Sequence, residues 1–210
     1  MKTTIQKIGV VIVLSFLTIV TFTLTSCQKE QVARSAQSDQ ALNSNSAVAQ
    51  ADYNYYIGGT DDPSNPLRGA DTVLTPVGDT FIIRGSGTLS VPANTVTGSG
   101  TFRYSKADGT KRTRGTWSAL ELLNFTSWGT SPDFPSNFEA GVARIRINTL
   151  PNSGENGLDA LLFIFCVLPG AAVPPAFEEG VQVNILGLGK HGDVPNFTEQ
   201  VGGQTLFIRQ

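Results

Sequence analysis

The sequence predicts an all-β fold, either an antiparallel β-sandwich or a barrel of about eight strands. Three observations lead to this prediction. Short runs of apolar and β-branched residues alternate with polar ones, Gly and Pro separate the runs, with 22 and 11 copies in the chain, and no long amphipathic helical pattern is present. Both architectures bury one face of each strand, so the pattern leaves the choice between sandwich and barrel open.

The predicted strands follow one another with short connections. In chain order they comprise residues 80–84, 87–91, 100–105, a run from Arg112 that includes Trp117, and residues 143–147, 161–168, 181–185 and 204–209. Asp108-Gly109 predicts a hairpin turn between the third and fourth runs. The apolar run 161–168 is typical of a strand buried on both faces. Residues 118–123 (SALELL) are the one segment whose pattern also favours a helix.

A short glycine-containing motif occurs twice within the predicted sheet. Residues 85–89 (GSGTL) recur thirteen residues later as residues 98–102 (GSGTF). Two copies are too few for a repeat architecture. We therefore interpret them as glycine bulges in adjacent strands.

The first 26 residues have the composition of a secretory signal peptide. Lys2 and Lys7 form a basic start, residues 8–23 carry no charge, and the small residues Thr25 and Ser26 precede Cys27. The alternative is a membrane-spanning helix, because residues 8–27 are 20 uncharged residues and about 20 apolar residues are enough to cross a bilayer.

The tetrad Leu24-Thr25-Ser26-Cys27 resembles the lipobox of bacterial lipoproteins. That resemblance implies cleavage before Cys27, a diacylglycerol on its thiol and acylation of the new amino group, and so a lipid anchor rather than a spanning helix. Gln28 differs from the aspartate that retains such lipoproteins in an inner membrane. Residues 28–30 (QKE) also resemble the export signal of surface lipoproteins in the Bacteroidota. The resemblance implies an outer-membrane lipoprotein of the cell envelope, with surface exposure as one alternative.

The rest of the chain divides into a tether and one domain. Residues 27–50 comprise the cysteine and a segment without aromatic residues, Gly or Pro, which buries too little apolar surface to offset its ordering entropy. As a flexible coil this tether spans about 25–30 Å. Residues 51–210 have the usual size of a single domain, which we expect to be the β domain.

Charge is mild overall but clustered. Without the leader, which contains Lys2 and Lys7, the mature chain has 13 basic and 17 acidic side chains and a net charge of −4, so we expect no nucleic-acid partner. Seven of the domain's 11 basic residues form a candidate anion patch: Arg103, Lys106, Lys111, Arg112, Arg114, Arg144 and Arg146. The hairpin at Asp108-Gly109 should bring the first five together. They serve either an anionic partner, such as lipid phosphate or an acidic glycan, or only solvation of an edge strand.

A second candidate surface is the loop formed by residues 125–138, which contains Trp128, Phe134 and Phe138 among Pro and Gly. Aromatic rings on a β loop provide a platform for sugar faces or for a protein partner. The alternative is that these rings close the end of the core.

Other motif-like patterns lack what their chemistry requires. Residues 187–192 (GLGKHG) match a dinucleotide-binding pattern, but Pro195 follows where that pattern needs a helix. His191 is the only histidine, which disfavours zinc sites and catalytic triads, and residues 61–65 lack the spacing of an EF-hand. We therefore expect neither a cofactor nor a metal. Cys166 lies among apolar residues, which predicts a buried, unreactive thiol.

Together these features favour a non-enzymatic envelope lipoprotein whose β domain binds a glycan, an envelope component or a protein partner. The lipid on Cys27 would provide its contact with the membrane. One alternative is a hydrolase that acts on polysaccharide through two carboxylates, which the sequence does not identify. The other is a structural subunit of an outer-membrane assembly.

Overall fold

The structure is a computed structural model that describes residues 51–59, 69–186 and 196–210. These residues form eleven strands and no helix, and so no helix long and apolar enough to cross a bilayer. The strands are β1 (Asp52–Ile57), β2 (Asp71–Leu74), β3 (Thr80–Ser90), β4 (Thr95–Ser105), β5 (Arg112–Gly129), β6 (Phe138–Pro151), β7 (Leu158–Cys166), β8 (Gly180–Ile185), β9 (Asn196–Phe197), β10 (Glu199–Gly202) and β11 (Thr205–Arg209). Every pair is antiparallel, which confirms the predicted fold class.

The strand pairing closes on itself. β3, β4, β5 and β6 pair in order and form one continuous wall. At one end of this wall, β11 and β1 connect β6 back to β3. Beyond this ring of paired strands, β7, β8 and β9 extend the sheet from β6 by successive pairing. On the other side, β2 pairs with the first half of β3, and β10 pairs with β2. The architecture left open by the sequence is therefore barrel-like, and its interior is a single hydrophobic core.

The helical alternative for residues 118–123 is wrong, because this segment lies in the middle of β5. The pairing of β5 with β6 shifts register between Ala119 and Glu121 and again between Leu122 and Asn124. Each bulge inserts one residue into the alternation. Ala119 and Leu122 therefore both contact the core although they are three residues apart, whereas Leu120 and Leu123 are exposed. Two bulges thus produce a spacing that imitates a helix.

The glycine motifs lie opposite each other, but the expected bulges are absent from this part of the sheet. Gly85 pairs with Gly100 and Gly87 pairs with Gly98 without any shift of register. The missing side chains make room for two large residues, because a Cβ on Gly100 would lie 2.5 Å from Nε1 of Trp117 and a Cβ on Gly87 would lie 2.7 Å from the hydroxyl of Tyr55. The facing glycines therefore leave the space that these two buried aromatic rings occupy.

The expectation that the apolar run in β7 is buried on both faces is wrong for most of its length. Leu162 and Ile164 are fully buried, whereas Leu161 and Phe163 between them are only half-buried. On the outer face of β7, the ring of Phe163 is therefore half-buried, whereas Phe165 two residues further on is buried. Cys166 at the end of the strand is fully buried, and this burial raises the pKa of its thiol, which confirms the predicted buried cysteine.

Candidate functional site

The hairpin between β4 and β5 gathers basic side chains on one outer face. Arg103 lies directly opposite Arg114 in the strand pairing, and Arg112 lies opposite Ser105. The turn closes through a hydrogen bond from the N–H of Lys106 to the carbonyl of Lys111, 2.9 Å long. All five predicted hairpin cations are exposed, and the turn is where Asp108-Gly109 predicted it.

Arg84 extends this surface and was not identified from the sequence. It lies on β3 opposite Thr101, and its Nε donates a hydrogen bond of 3.2 Å to the hydroxyl of Thr101. Arg84 and Arg103 line the same shallow groove, which has a volume of about 290 Å³. We call the six side chains of this surface the basic face: Arg84, Arg103, Lys106, Lys111, Arg112 and Arg114.

Within the described ranges, the basic face has no ion-pair partner. The ion pair found among the described residues joins Arg146 to Glu121 at 3.3 Å, and it lies on a different part of the sheet. Residues directly opposite in an antiparallel pair have Cβ atoms about 4.5–5.5 Å apart, where two like charges are destabilising. Arg103 and Arg114 are such a pair. An anion bound between them would relieve this repulsion.

Arg144 and Arg146 do not join the basic face. Both lie on β6, where Arg146 is opposite Glu121 of β5. Arg114 is seven residues earlier on β5, which corresponds to about 23 Å along the strand. Arg144 lies instead over the ring of Phe163, with its guanidinium carbon 5.6 Å from the ring centroid. The seven predicted cations therefore form two separate groups.

The aromatic loop forms two ring pairs rather than one platform. Trp128 packs against Phe177 with ring centroids 4.9 Å apart, whereas Phe134 stacks on Phe138 at 6.5 Å. Trp128 and Phe138 are half-buried and contact the core, and Phe134 is 39 % exposed. Phe177 was missed because it lies in a different loop, and its proximity to Trp128 exists only in the folded chain.

Two carboxyl groups, that of the buried Asp71 and that of the half-buried Glu179, have strongly raised pKa values. Burial, followed by the negative charge of Glu179, raises the pKa of Asp71 to about 8. Burial raises the pKa of Glu179 to about 7, against hydrogen bonds donated by the N–H groups of Val167 and Thr205 and by the hydroxyl of Thr205. Neither carboxyl lines either of the two grooves found along the described part of the chain.

Several residues considered above lie outside the described ranges. These are Cys27 and the tether, the acidic residues 61–65, and the glycine-rich residues 187–192 with His191. Across the ranges that are described, no cluster of three or more His, Cys, Asp or Glu side chains is arranged to hold a metal ion.

Fold and site define an all-β domain with an exposed cationic surface on one hairpin. No protein-family model matches the chain, and no curated protein or solved structure is significantly similar to it.

Proposed function

We propose that this chain is a lipid-anchored envelope protein whose β domain binds an anionic component of the envelope through the basic face. One observation carries the proposal: Arg103 and Arg114 lie directly opposite each other, with Arg84 beside them and no carboxylate within ion-pair distance in the described residues. Arginine guanidinium groups bind phosphate and carboxylate oxygens in pairs. The ligand chemistry is therefore a phosphate or carboxylate group, borne by a lipid headgroup or by an acidic glycan.

The anchor and the tether fit this role. The lipobox-like tetrad ends at Cys27, and two or more acyl chains attach a protein stably to a bilayer. The tether of 23 residues allows the domain to reach a surface about 25–30 Å from the anchor. An outer-membrane location follows from the same resemblance, and in it the basic face would meet anionic headgroups or glycans at short range, where electrostatic attraction is little screened.

Replacing Arg103 and Arg114 with glutamine should weaken anion binding by about 10- to 100-fold, because two charge-assisted contacts are lost. The measurement uses the mature chain with Cys27→Ser, so that the lipid does not insert into the probe. Binding is titrated with vesicles that contain lipid A, for the lipid phosphate, and with polygalacturonate, for an acidic glycan. The affinity of the Cys27→Ser chain for both anions should fall as the salt concentration is raised, because salt screens the charges.

The matched control removes the same charge elsewhere. Arg144→Gln with Arg146→Gln eliminates two cations on β6 and should change the affinity for either anion by less than about twofold. The proposal is contradicted if the parent binds neither probe, or if the control pair weakens binding as much as the Arg103 and Arg114 pair does.

A further inference from the structure

A second groove lies on the outer face of β7 and β8, away from the basic face. It has a volume of about 200 Å³. Its aromatic side is formed by Phe165 and by Phe177 from the loop after β7, and its polar side includes Glu178, Gln182, Thr198 and Gln200. Pockets for drug-sized ligands are larger, about 300–1,000 Å³. The groove therefore fits a small ring or one unit of a chain.

The aromatic side belongs to a continuous row of rings. Trp128 and Phe177 are 4.9 Å apart between centroids, Phe177 and Phe165 are 5.6 Å apart, and Phe165 and Phe163 are 6.2 Å apart with nearly parallel planes. Arg144 covers the far end of the row over Phe163. Phe177 is 39 % exposed, so one ring in the middle of the row is accessible to a ligand.

Among the described residues, the polar side of the groove offers hydrogen-bonding groups of both kinds and no cation. Gln182 and Gln200 carry amides that donate and accept, Thr198 carries a hydroxyl, and Glu178 accepts. The amide nitrogen of Gln200 lies 3.4 Å from the carbonyl oxygen of Val181, whereas its Oε1 is buried without a hydrogen-bond partner among the described residues. That oxygen is shielded from solvent, so the polar groups that a ligand in the groove can reach are the half-buried Gln182 and the exposed Thr198.

We propose that this groove binds one hexopyranose unit of a neutral glycan, with its C–H face on Phe177 and its hydroxyls toward the amide of Gln182 and the hydroxyl of Thr198. An aromatic ring beside paired donors and acceptors suits a ligand that is apolar on one face and polyhydroxylated at its rim. The absence of a basic side chain from the described lining, together with Glu178, disfavours an anion here. The site is separate from the basic face and does not depend on the function proposed for that face.

Trp128 provides a signal for the test, because it contacts Phe177, whereas the chain's other tryptophan, Trp117, is buried in the core at 1 % exposure. The mature lipidated protein in phosphatidylcholine nanodiscs is titrated with maltohexaose, cellohexaose and mannohexaose, each up to about 10 mM. At least one of these neutral oligosaccharides should change the tryptophan emission in a saturable way.

Phe177→Ala should weaken that binding by about 5- to 10-fold, because one ring stack is lost. Phe134→Ala is the matched control, since Phe134 is also a loop phenylalanine with 39 % exposure, and it should change the affinity by less than about twofold. Gln182→Ala tests the polar side and should weaken binding by about 3- to 10-fold. Thermal unfolding of each variant shows whether the fold is intact.

Three results would overturn the proposal. They are no saturable change with any of the three oligosaccharides, an equal loss of affinity in the Phe134→Ala control, or binding that the Phe177→Ala and Gln182→Ala variants retain in full. Anion binding by the Arg103 and Arg114 variant is measured in a separate experiment. A negative oligosaccharide result would therefore leave the proposal for the basic face intact. Loss of anion binding in that pair, with oligosaccharide binding intact, would establish two independent sites.

Discussion

Gly100→Ala should lower the free energy of unfolding by about 3 kcal/mol or more, because the added methyl group has no space in the sheet. A Cβ at this position would lie 2.5 Å from Nε1 of Trp117 and closer still to the carbonyl oxygen of Arg84. These two groups form a hydrogen bond of 3.0 Å, in which the indole N–H donates. The substitution must displace a fully buried ring, part the strands β3 and β4, or break that bond.

Gly202→Ala is the control for this prediction. Gly202 lies in β10, and a Cβ there would meet no other atom within 4 Å. Its unfolding free energy should stay within about 0.5 kcal/mol of the parent value. Urea unfolding, followed by tryptophan fluorescence, measures both variants. Equal stability of the two variants would show that Gly100 does not make room for the ring of Trp117.

The stability of the domain should decrease as pH rises from about 4 to 8, which is the reverse of ordinary acid denaturation. The pKa of Asp71 is raised from 3.8 to about 8 and that of Glu179 from 4.5 to about 7. At a pH between the two pKa values of a carboxyl, the unfolded chain has already released the proton, whereas the folded chain still binds it. Each carboxyl then lowers the stability of the folded state as pH rises, until its folded pKa is reached.

Asp71→Asn separates this effect from other titrations. Asp71 is 1 % exposed, and an amide of the same shape has no charge to bury. The variant should therefore be more stable than the parent at pH 8. Its unfolding free energy should also depend much less on pH. Asp133→Asn, which changes an exposed carboxyl, should show the same pH dependence of the unfolding free energy as the parent. Chemical unfolding between about pH 5 and pH 8 measures all three proteins. A parent whose stability rises over this interval would contradict the assignment of raised pKa values to Asp71 and Glu179.

Much of the fold could be predicted from alternation and turn residues, and the exceptions have physical causes. Two predicted runs, residues 80–84 and 87–91, are one strand because Gly85 and Gly87 continue β3 rather than interrupt it. β9 and β10 have only two and four residues, too few for a periodic signal. β1 did carry such a signal, since Tyr53, Tyr55 and Ile57 alternate as buried residues, and it was missed beside the polar tether.

The residues of the two proposed sites also fall into two groups, those that local sequence predicts and those that only the folded chain brings together. A hairpin joins residues near in sequence, so Asp108-Gly109 was enough to bring Arg103 and Arg114 to one surface. Arg84 and Phe177 reach their sites through the register of β3 on β4 and the return of a loop over β7. These are contacts between distant parts of the chain, and no local pattern predicts them.

We propose that a lipid on Cys27 anchors the β domain, with its exposed basic face, at the cell envelope. Radioactive palmitate labelling of bacteria that express the parent or the Cys27→Ser variant tests this anchoring. The parent should take up label and sediment with the outer membrane, whereas the variant should be unlabelled and leave the membrane fraction. An unlabelled parent, or equal label in both proteins, would rule out a lipid on Cys27.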